Sequence, residues 1–130
     1  MVKKQGKIDI SELSNPPLRS EFLTAKILSA TGNDIRFLEP NRYKGAKTAD
    51  ILMDGRDWEI KCPKGNGKYN LQHAFKAAIK QSENVIFNLY LARGSAENNV
   101  RKLRKLFNDS PSAKRLKIIT KSRRIVDFEK

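Results

Sequence analysis

The sequence predicts an α+β domain, in which an N-terminal helix is followed by a mostly antiparallel mixed sheet with helices packed on it. Three segments repeat apolar residues at helical spacing, and several shorter segments alternate in polarity or are continuously apolar, as strands are. The resulting order of helix, three strands, helix, strand, helix and two strands is typical of the α+β class. At 130 residues, the chain is long enough for one hydrophobic core.

Each predicted helix is bounded by residues that favour a helix end. The first covers residues 17–31 and is followed by Gly32, a residue type common just after helices. The second covers residues 70–82, and the third starts after Ser95, whose hydroxyl can cap an N-terminus, and ends at residues 109–111. The predicted apolar faces are Leu18, Phe22, Ala25 and Leu28; Leu71, Phe75, Ala78 and Ile79; and Val100, Leu103, Leu106 and Phe107.

The predicted strands fall between these helices and at the C-terminus. Asp54-Gly55 is a strong signal for a hairpin turn, and residues 85–91 form the most apolar run, which predicts a central strand. The strands cover residues 34–39, 49–53, 58–62, 85–91, 116–120 and 125–128. The polar residues 1–16 are predicted to form an arm ahead of a single domain, residues 17–130.

The composition indicates a polyanionic partner, because 27 Lys and Arg face 14 Asp and Glu, a net charge of +13. Nucleic acid is favoured over a membrane, since no basic segment has the broad apolar face that lying on a bilayer requires. No run approaches the ~18 apolar residues of a membrane span, and the N-terminus lacks the apolar core of a signal peptide. One cysteine and one histidine exclude an internal disulfide and do not suit a zinc site.

Two carboxylates and a lysine are predicted to converge on the hairpin. Asp50 lies on one strand; Glu59 and Lys61 share a face of the other, while Trp58 and Ile60 point the opposite way. Such a cluster is costly unless something binds there. Carboxylates suit Mg²⁺ and a lysine suits a phosphate, so together they suit phosphodiester hydrolysis. The spacing leaves open an ordinary exposed ion pair of Glu59 with Lys61.

The loop after this strand has the composition of an anion-binding loop. It directly precedes the second helix, whose free N–H groups and dipole favour an anion, and its glycines allow a phosphate to approach the backbone. The spacing does not match a Walker motif, so no nucleoside triphosphate is implied. A mobile basic loop is the alternative. The loop residues are Lys64, Gly65, Asn66, Gly67 and Lys68.

Further candidates have weaker signals. His73, in the first turn of the second helix, is a candidate general acid or base for RNA cleavage, and a surface histidine without a role is an equal alternative. Thr120 and Lys121 end a strand of the same predicted sheet and are candidates for a phosphate contact, although a plain turn is the favoured interpretation. Arg101 and Lys105 belong to a basic C-terminal stretch typical of a surface that follows a phosphate backbone.

Two other titratable residues are assigned structural roles. Glu21 could add a carboxylate to a metal site, but a solvated position on the first helix is the favoured interpretation. Cys62 has no catalytic histidine at a fixed spacing, so it is predicted to serve packing.

Residues 48–68, TADILMDGRDWEIKCPKGNGK, resemble the C-terminal toxin domains of CdiA, which are tRNA nuclease modules of bacterial contact-dependent growth inhibition. The similarity extends over residues 18–128. The resemblance implies an α+β nuclease fold of the barnase–colicin–RelE-like kind, metal-independent RNA cleavage in the cytoplasm of a target bacterium, and a cognate immunity protein. On this interpretation Lys61 stabilises charge on the phosphate, Glu59 or His73 moves the proton, and no cofactor is needed.

The spacing Asp-x(8)-Glu-x-Lys on neighbouring strands after a helix is also similar to the PD-(D/E)xK nucleases. That resemblance implies that Asp50 and Glu59 hold Mg²⁺, that Lys61 orients the attacking water with help from Gln72, and that the substrate is DNA. Thr-Ala-Asp replaces the usual Pro-Asp of that motif. The spacing does not separate the two families. A third alternative is a basic module that binds nucleic acid without cutting it.

Overall fold

A computed structural model of the chain describes residues 4–40, 48–65 and 69–130 and confirms the α+β class. These residues form three helices and one seven-stranded sheet. The helices are α1 (Arg19–Ala30), α2 (Asn70–Gln81) and α3 (Ala96–Asp109). The strands are β1 (Ile8–Asp9), β2 (Ile35–Phe37), β3 (Ile51–Met53), β4 (Arg56–Lys61), β5 (Asn84–Asn88), β6 (Arg115–Ile119) and β7 (Ile125–Glu129).

The strands lie in the sheet in the order in which they occur along the chain. β2, β3 and β4 are antiparallel, as are β6 and β7. The pairs β1–β2, β4–β5 and β5–β6 are parallel. The sheet is therefore mixed, as predicted, but its centre is parallel. The reason is that α2 and α3 are crossover helices, which carry the chain back to the end of the sheet where the preceding strand began.

β1 was not predicted from the sequence. Ile8 and Asp9 pair in parallel with Ile35 and Arg36 of β2, and the Ile35 amide donates a hydrogen bond to the Lys7 carbonyl at 2.8 Å. A two-residue strand within a polar segment is too short to show periodicity. Part of the segment predicted as an arm therefore forms the edge of the sheet.

Two apolar clusters lie on the two faces of the sheet. On one face α1 packs through Ala25 and Leu28, together with residues of β2, β3 and β4. On the other face α2 and α3 contribute Phe75 and Phe107. β5 is buried along its whole length and supplies residues to both clusters, as expected of a central strand.

The turn and cap signals in the sequence are confirmed. Asp54 and Gly55 have φ angles of 56° and 73°, as in the two-residue hairpin turns that match the twist of a sheet. Gly32, which follows α1, has a φ of 99°. At the start of α3, the amide of Asn98 donates to Ser95 Oγ at 3.1 Å. The hairpin of β3 and β4 is the element that builds the site.

Candidate active site

The hairpin holds Asp50 against the neighbouring strand. Ile51 lies opposite Trp58, which brings the preceding Asp50 to the level of Glu59. The Asp50 amide donates to the Trp58 carbonyl at 3.0 Å, and Asp50 Oδ2 accepts from the Ile60 amide at 2.7 Å. These two hydrogen bonds fix both the backbone and the carboxylate of Asp50.

Glu59 and Lys61 share the predicted face of β4, since Trp58 and Ile60 pack into the cluster beneath α1. Glu59 is only 7% exposed, and its Oε2 lies 3.5 Å from Lys61 Nζ. Its second oxygen, Oε1, is buried and has no hydrogen-bond partner within the described ranges. This burial rules out the ordinary exposed ion pair that the spacing left open.

The surroundings favour the neutral form of Glu59. Burial, reinforced by the charge of Asp50, raises the pKa of Glu59 to about 8, and Lys61 offsets only part of this effect. Burial also raises the pKa of Asp50, against the lowering effect of the hydrogen bond from the Ile60 amide. The strand register puts the two carboxyl groups side by side, and two neighbouring buried carboxyl groups do not both ionise readily. At neutral pH the pair shares a proton unless a cation takes its place.

A third carboxylate reaches the site from α1. Burial and the charge of Asp50 raise the pKa of Glu21 to about 7, while Lys61 acts in the opposite direction. Glu21 is half-buried, so the solvated position favoured by the sequence is wrong. Its approach to Asp50 depends on how α1 docks on the sheet, and a single sequence carries no signal for that.

The carboxylates fit a divalent cation. Within the ranges that the structure describes, no set of three or more His, Cys, Asp or Glu side chains is arranged to hold a metal ion. Mg²⁺, however, is commonly held by one or two carboxylates, with water and substrate phosphate completing its shell. Asp50 and Glu59 supply two, and the buried Glu59 Oε1 is an acceptor that lacks a donor. A cation bound here would be the partner that this oxygen lacks.

A cavity of about 270 Å³ opens beside the carboxylates. Glu21 and Asp50 line it, and its other walls come from residues 13–18 and 37–40. Leu13 and Phe37 contribute apolar surface to these walls. Glu21 and Asp50 can therefore be reached from solvent through a partly apolar opening, whereas Glu59 lies behind them and does not line this cavity.

A buried polar network lies next to Lys61 and joins α1 to β5. Thr24 Oγ1 donates to the Ser20 carbonyl at 2.8 Å and accepts from Asn88 Nδ2 at 2.9 Å. Cys62 Sγ lies 3.7 Å from Thr24 Oγ1. Burial raises the pKa of the Cys62 thiol, which agrees with the predicted packing role. Thr24 and Asn88 were not singled out from the sequence, because hydroxyl and amide side chains are common and their partners are distant in the chain.

The predicted anion-binding loop lies only partly within the described residues. Lys64 is exposed. The Gly65 amide donates to the Leu91 carbonyl at 3.2 Å, and the Gly65 carbonyl accepts from the Arg93 amide at 2.9 Å. The Gly65 N–H is therefore not free for a phosphate. The other three loop residues, Asn66, Gly67 and Lys68, lie outside the described residues.

The predicted residues on α2 are not joined to the carboxylates. His73 is exposed, and its ring centroid lies 6.2 Å from that of Tyr69. The ion pairs and hydrogen bonds of the described residues do not connect His73 to Asp50 or Glu59. Gln72 is half-buried on the same helix.

The remaining predicted contacts lie farther along the chain. Thr120 is buried at the end of β6, where its Oγ1 accepts from the Arg124 amide at 3.1 Å. Lys121 is exposed in the turn that follows. Arg101 and Lys105 are exposed on α3, whose opposite side packs into the core.

The fold and the site define a small, basic α+β domain with a buried carboxylate–lysine cluster. The family model described as the contact-dependent growth inhibition CdiA C-terminal domain matches residues 47–125. Because this match covers more than half of the chain, the chain belongs to that family, and the first resemblance is confirmed. As a CdiA C-terminal toxin domain it is delivered into target cells.

The fold is also similar to a solved structure. A chain of the "CdiA-CT/CdiI toxin and immunity complex from Burkholderia pseudomallei" matches with a TM-score of 0.69 and 17% identity, over 96% of this chain and 100% of that chain. At this identity the likeness shows the fold alone. No curated protein matches the sequence. None of the helices in the described part is long and apolar enough to cross a membrane.

Proposed function

We propose that this toxin domain is a nuclease that hydrolyses phosphodiester bonds in RNA, with tRNA as the foremost substrate. The observation that supports it is the convergence of Asp50, Glu59 and Lys61, with a buried Glu59 oxygen that lacks a donor. Two carboxylates that must share a proton cost stability. The same groups suit a divalent cation and a phosphodiester.

Each side chain of the cluster has a role that follows from its charge and position. Asp50 and Glu59 would hold Mg²⁺, which when bound would supply positive charge for the phosphate oxygens. Lys61, 3.5 Å from Glu59, orients the attacking water and stabilises the negative charge that develops on the phosphate. Glu21, whose pKa is about 7 and which lines the cavity, exchanges a proton with solvent or substrate.

The geometry favours metal-dependent chemistry over the metal-independent cleavage that the first resemblance implies. In the metal-independent scheme, Glu59 or His73 moves the proton. His73 has contacts with Tyr69, whereas Glu59 is buried beside a second carboxylate that already raises its pKa. The pairing of Glu59 with Asp50 instead fits the Mg²⁺ site that the PD-(D/E)xK resemblance implies.

The choice of RNA rests on the family resemblance, which implies tRNA. A carboxylate–lysine site also suits DNA, as the PD-(D/E)xK resemblance implies, and a net charge of +13 suits either polyanion. DNA is therefore the second substrate to be measured.

We further propose a cognate immunity protein as partner and the cytoplasm of the target bacterium as the place of action. The similar structure comes from a toxin and immunity complex. A nuclease that cuts tRNA would damage the cell that makes it unless a protein inhibitor covered the site, and tRNA is reached in the cytoplasm.

Incubation of the domain with tRNA and with plasmid DNA, each in Mg²⁺ and in EDTA, tests the proposal. We expect tRNA cleavage in Mg²⁺ that EDTA abolishes. Glu59→Gln and Lys61→Ala should each lower the rate by ~100-fold or more, the effect typical of losing one group that stabilises transition-state charge. Glu129→Gln, which removes an exposed carboxylate of β7, is the matched control and should cut at the parental rate.

Each other result has a defined meaning. Full tRNA cleavage in EDTA would overturn the metal-dependent chemistry in favour of the metal-independent scheme. Cleavage of plasmid alone would replace RNA by DNA as the substrate. Binding of RNA without cleavage of either substrate would reduce the domain to a binding module.

A further inference from the structure

A second cavity, of about 610 Å³, lies between α1 and the carboxyl ends of β5 and β6. This volume is within the range of ~300–1,000 Å³ typical of small-molecule sites. Lys26 and other residues of α1 form one wall, Asn88 and Tyr90 follow β5 on another, and the turn after β6 closes the third. The proposed catalytic cluster does not include any of these residues.

The charge of this cavity is positive and uncompensated. Lys26, Lys121 and Arg123 line it, and the residues that line it include no carboxylate. The ion pairs among the described residues involve other cations. Lys26 lies against the ring of Phe22, 5.7 Å from its centroid. Three exposed cations line one cavity whose lining includes no carboxylate, and such a cavity suits an anionic ligand.

The polar floor of the cavity is held in place by hydrogen bonds. Asn88 is fully buried; its Nδ2 donates to Thr24 Oγ1 at 2.9 Å, and its Oδ1 accepts from the Tyr90 amide at 3.3 Å. At the opposite wall, the Arg123 amide donates to the Thr120 carbonyl at 2.9 Å. The cavity is therefore shaped before any ligand enters.

The cavity and the catalytic cluster lie at the same end of the parallel strands, beyond their carboxyl termini. β4, β5 and β6 are parallel, and ligands of such sheets bind beyond the carboxyl ends of the strands. Phe87 lies opposite Lys61 in the β4–β5 register, so Asn88, the next residue, marks the step from the cluster to the cavity. Thr24 contacts both Asn88 and Cys62, which places it between the two sites.

We propose that this cavity is a nucleotide subsite, which holds a nucleotide of the substrate strand near the one that is cut. Lys26, Lys121 and Arg123 bind its phosphate, and the half-buried Tyr90 offers its ring to the base. The inference rests on the proposed function in assuming a nucleic acid substrate.

Binding of a short fluorescent single-stranded RNA to the Glu59→Gln protein, which should not cut it, tests the subsite. Lys26→Gln with Arg123→Gln removes two charges and keeps the aliphatic stems. We expect ~10-fold weaker binding and a salt slope smaller by ~2, since each phosphate contact contributes ~1. Lys76→Gln with Lys80→Gln, two exposed lysines of α2, is the charge-matched control and should bind as the parent does.

Two further measurements locate the ligand. Tyr90→Leu should weaken RNA binding ~5-fold or more, because the base loses its stacking partner. Titration with a nucleoside 5′-monophosphate should shift the amide NMR signals of Tyr90 and Lys121, and inorganic phosphate should shift mainly Lys121. Shifts of Lys121 that phosphate alone reproduces in full, with Tyr90 unaffected, would overturn the nucleotide assignment.

The subsite and the nuclease proposal fail separately. Equal RNA affinity in the cavity variant and the α2 control would overturn the subsite even if the parent domain cuts tRNA. Selective loss of binding in the cavity variant would support the subsite even if the parent cuts neither RNA nor DNA.

Discussion

Glu59 is an acid held where the fold favours its neutral form. Its position on β4 was predictable, because alternation fixes which residues of a strand share a face. Its burial was not, since that depends on how Asp50 and the neighbouring strand β5 pack against it. At the residue scale the sequence therefore identified the acidic pair and the lysine but not the state in which the acids are held.

The raised pKa of Glu59 has a consequence for stability. The unfolded chain releases this proton near pH 4.5 and the folded chain near pH 8. The contribution of Glu59 to stability is therefore present below pH 4.5 and lost as the pH rises toward 8. We expect Glu59→Gln to raise the free energy of unfolding by ~1–3 kcal/mol at about pH 8.5, the cost of a buried polar group without a partner. The gain should vanish near the ordinary Glu pKa.

Urea unfolding in EDTA at several pH values measures this difference, with Glu83→Gln, an exposed carboxylate without an ion pair among the described residues, as the control. A variant that gains as much stability at acid pH as at alkaline pH would contradict the assignment of the raised pKa to Glu59.

Mg²⁺ should restore, in the parent protein, the stability that is lost when the buried Glu59 carboxyl group ionises. A cation that binds only the folded state stabilises it by ~2.7 kcal/mol at 100 times its dissociation constant. We expect the melting temperature of the parent to rise with Mg²⁺ at about pH 8, and the rise to be largely lost in Asp50→Asn. Equal responses of the two proteins would show that the ion binds elsewhere.

At the scale of elements, the helices and the β3–β4 hairpin were predictable, and the way they pack was not. Apolar spacing located α1, α2 and α3, and Asp54-Gly55 located the hairpin turn. β1 was missed because two residues show no period. The parallel centre of the sheet follows from the two helical crossovers, whereas the contact of α1 with β4 and β5 joins residues far apart in the chain.

Thr24 is the residue through which α1 makes that contact, and its removal should loosen the docking. Thr24→Val keeps the shape but leaves Asn88 Nδ2 without its acceptor in a buried site. We expect a loss of ~1–3 kcal/mol in the free energy of unfolding, measured with urea. Thr31→Val, at the exposed end of α1, removes a hydroxyl that bonds the Leu28 carbonyl and should cost much less. Equal losses would contradict the role of Thr24.

At the scale of the whole molecule, charge was the most informative property of the sequence. A net charge of +13 indicates a polyanionic partner whatever the fold. The structure adds that three of these cations line one cavity and that Lys61 lies beside the acidic pair. Composition could predict the class of partner but not the positions of these cations, because the positions depend on which strand ends the fold brings side by side.

RNA binding by the whole domain should weaken steeply with salt. Each neutralised phosphate releases counterions, so the logarithm of the binding constant falls linearly with that of the salt concentration. We expect the affinity for tRNA to fall at least ~10-fold between ~50 and ~200 mM KCl, measured in EDTA so that cleavage does not interfere. An affinity that stays constant over this range would contradict a contact with the phosphate backbone.

The two-residue turn sets the register between β3 and β4, and the register decides where the Asp50 carboxylate lies. A slip of one position in the hairpin would carry Asp50 to the opposite side of the sheet, although no reacting group had been altered. Gly55 has a φ of 73° and open space around it. A β-branched residue would fit the space there, but it would strain the backbone of the turn. If cells are made to express this domain, the clones that survive should carry inactivating mutations in the Asp54-Gly55 turn as well as at Asp50 and Glu59.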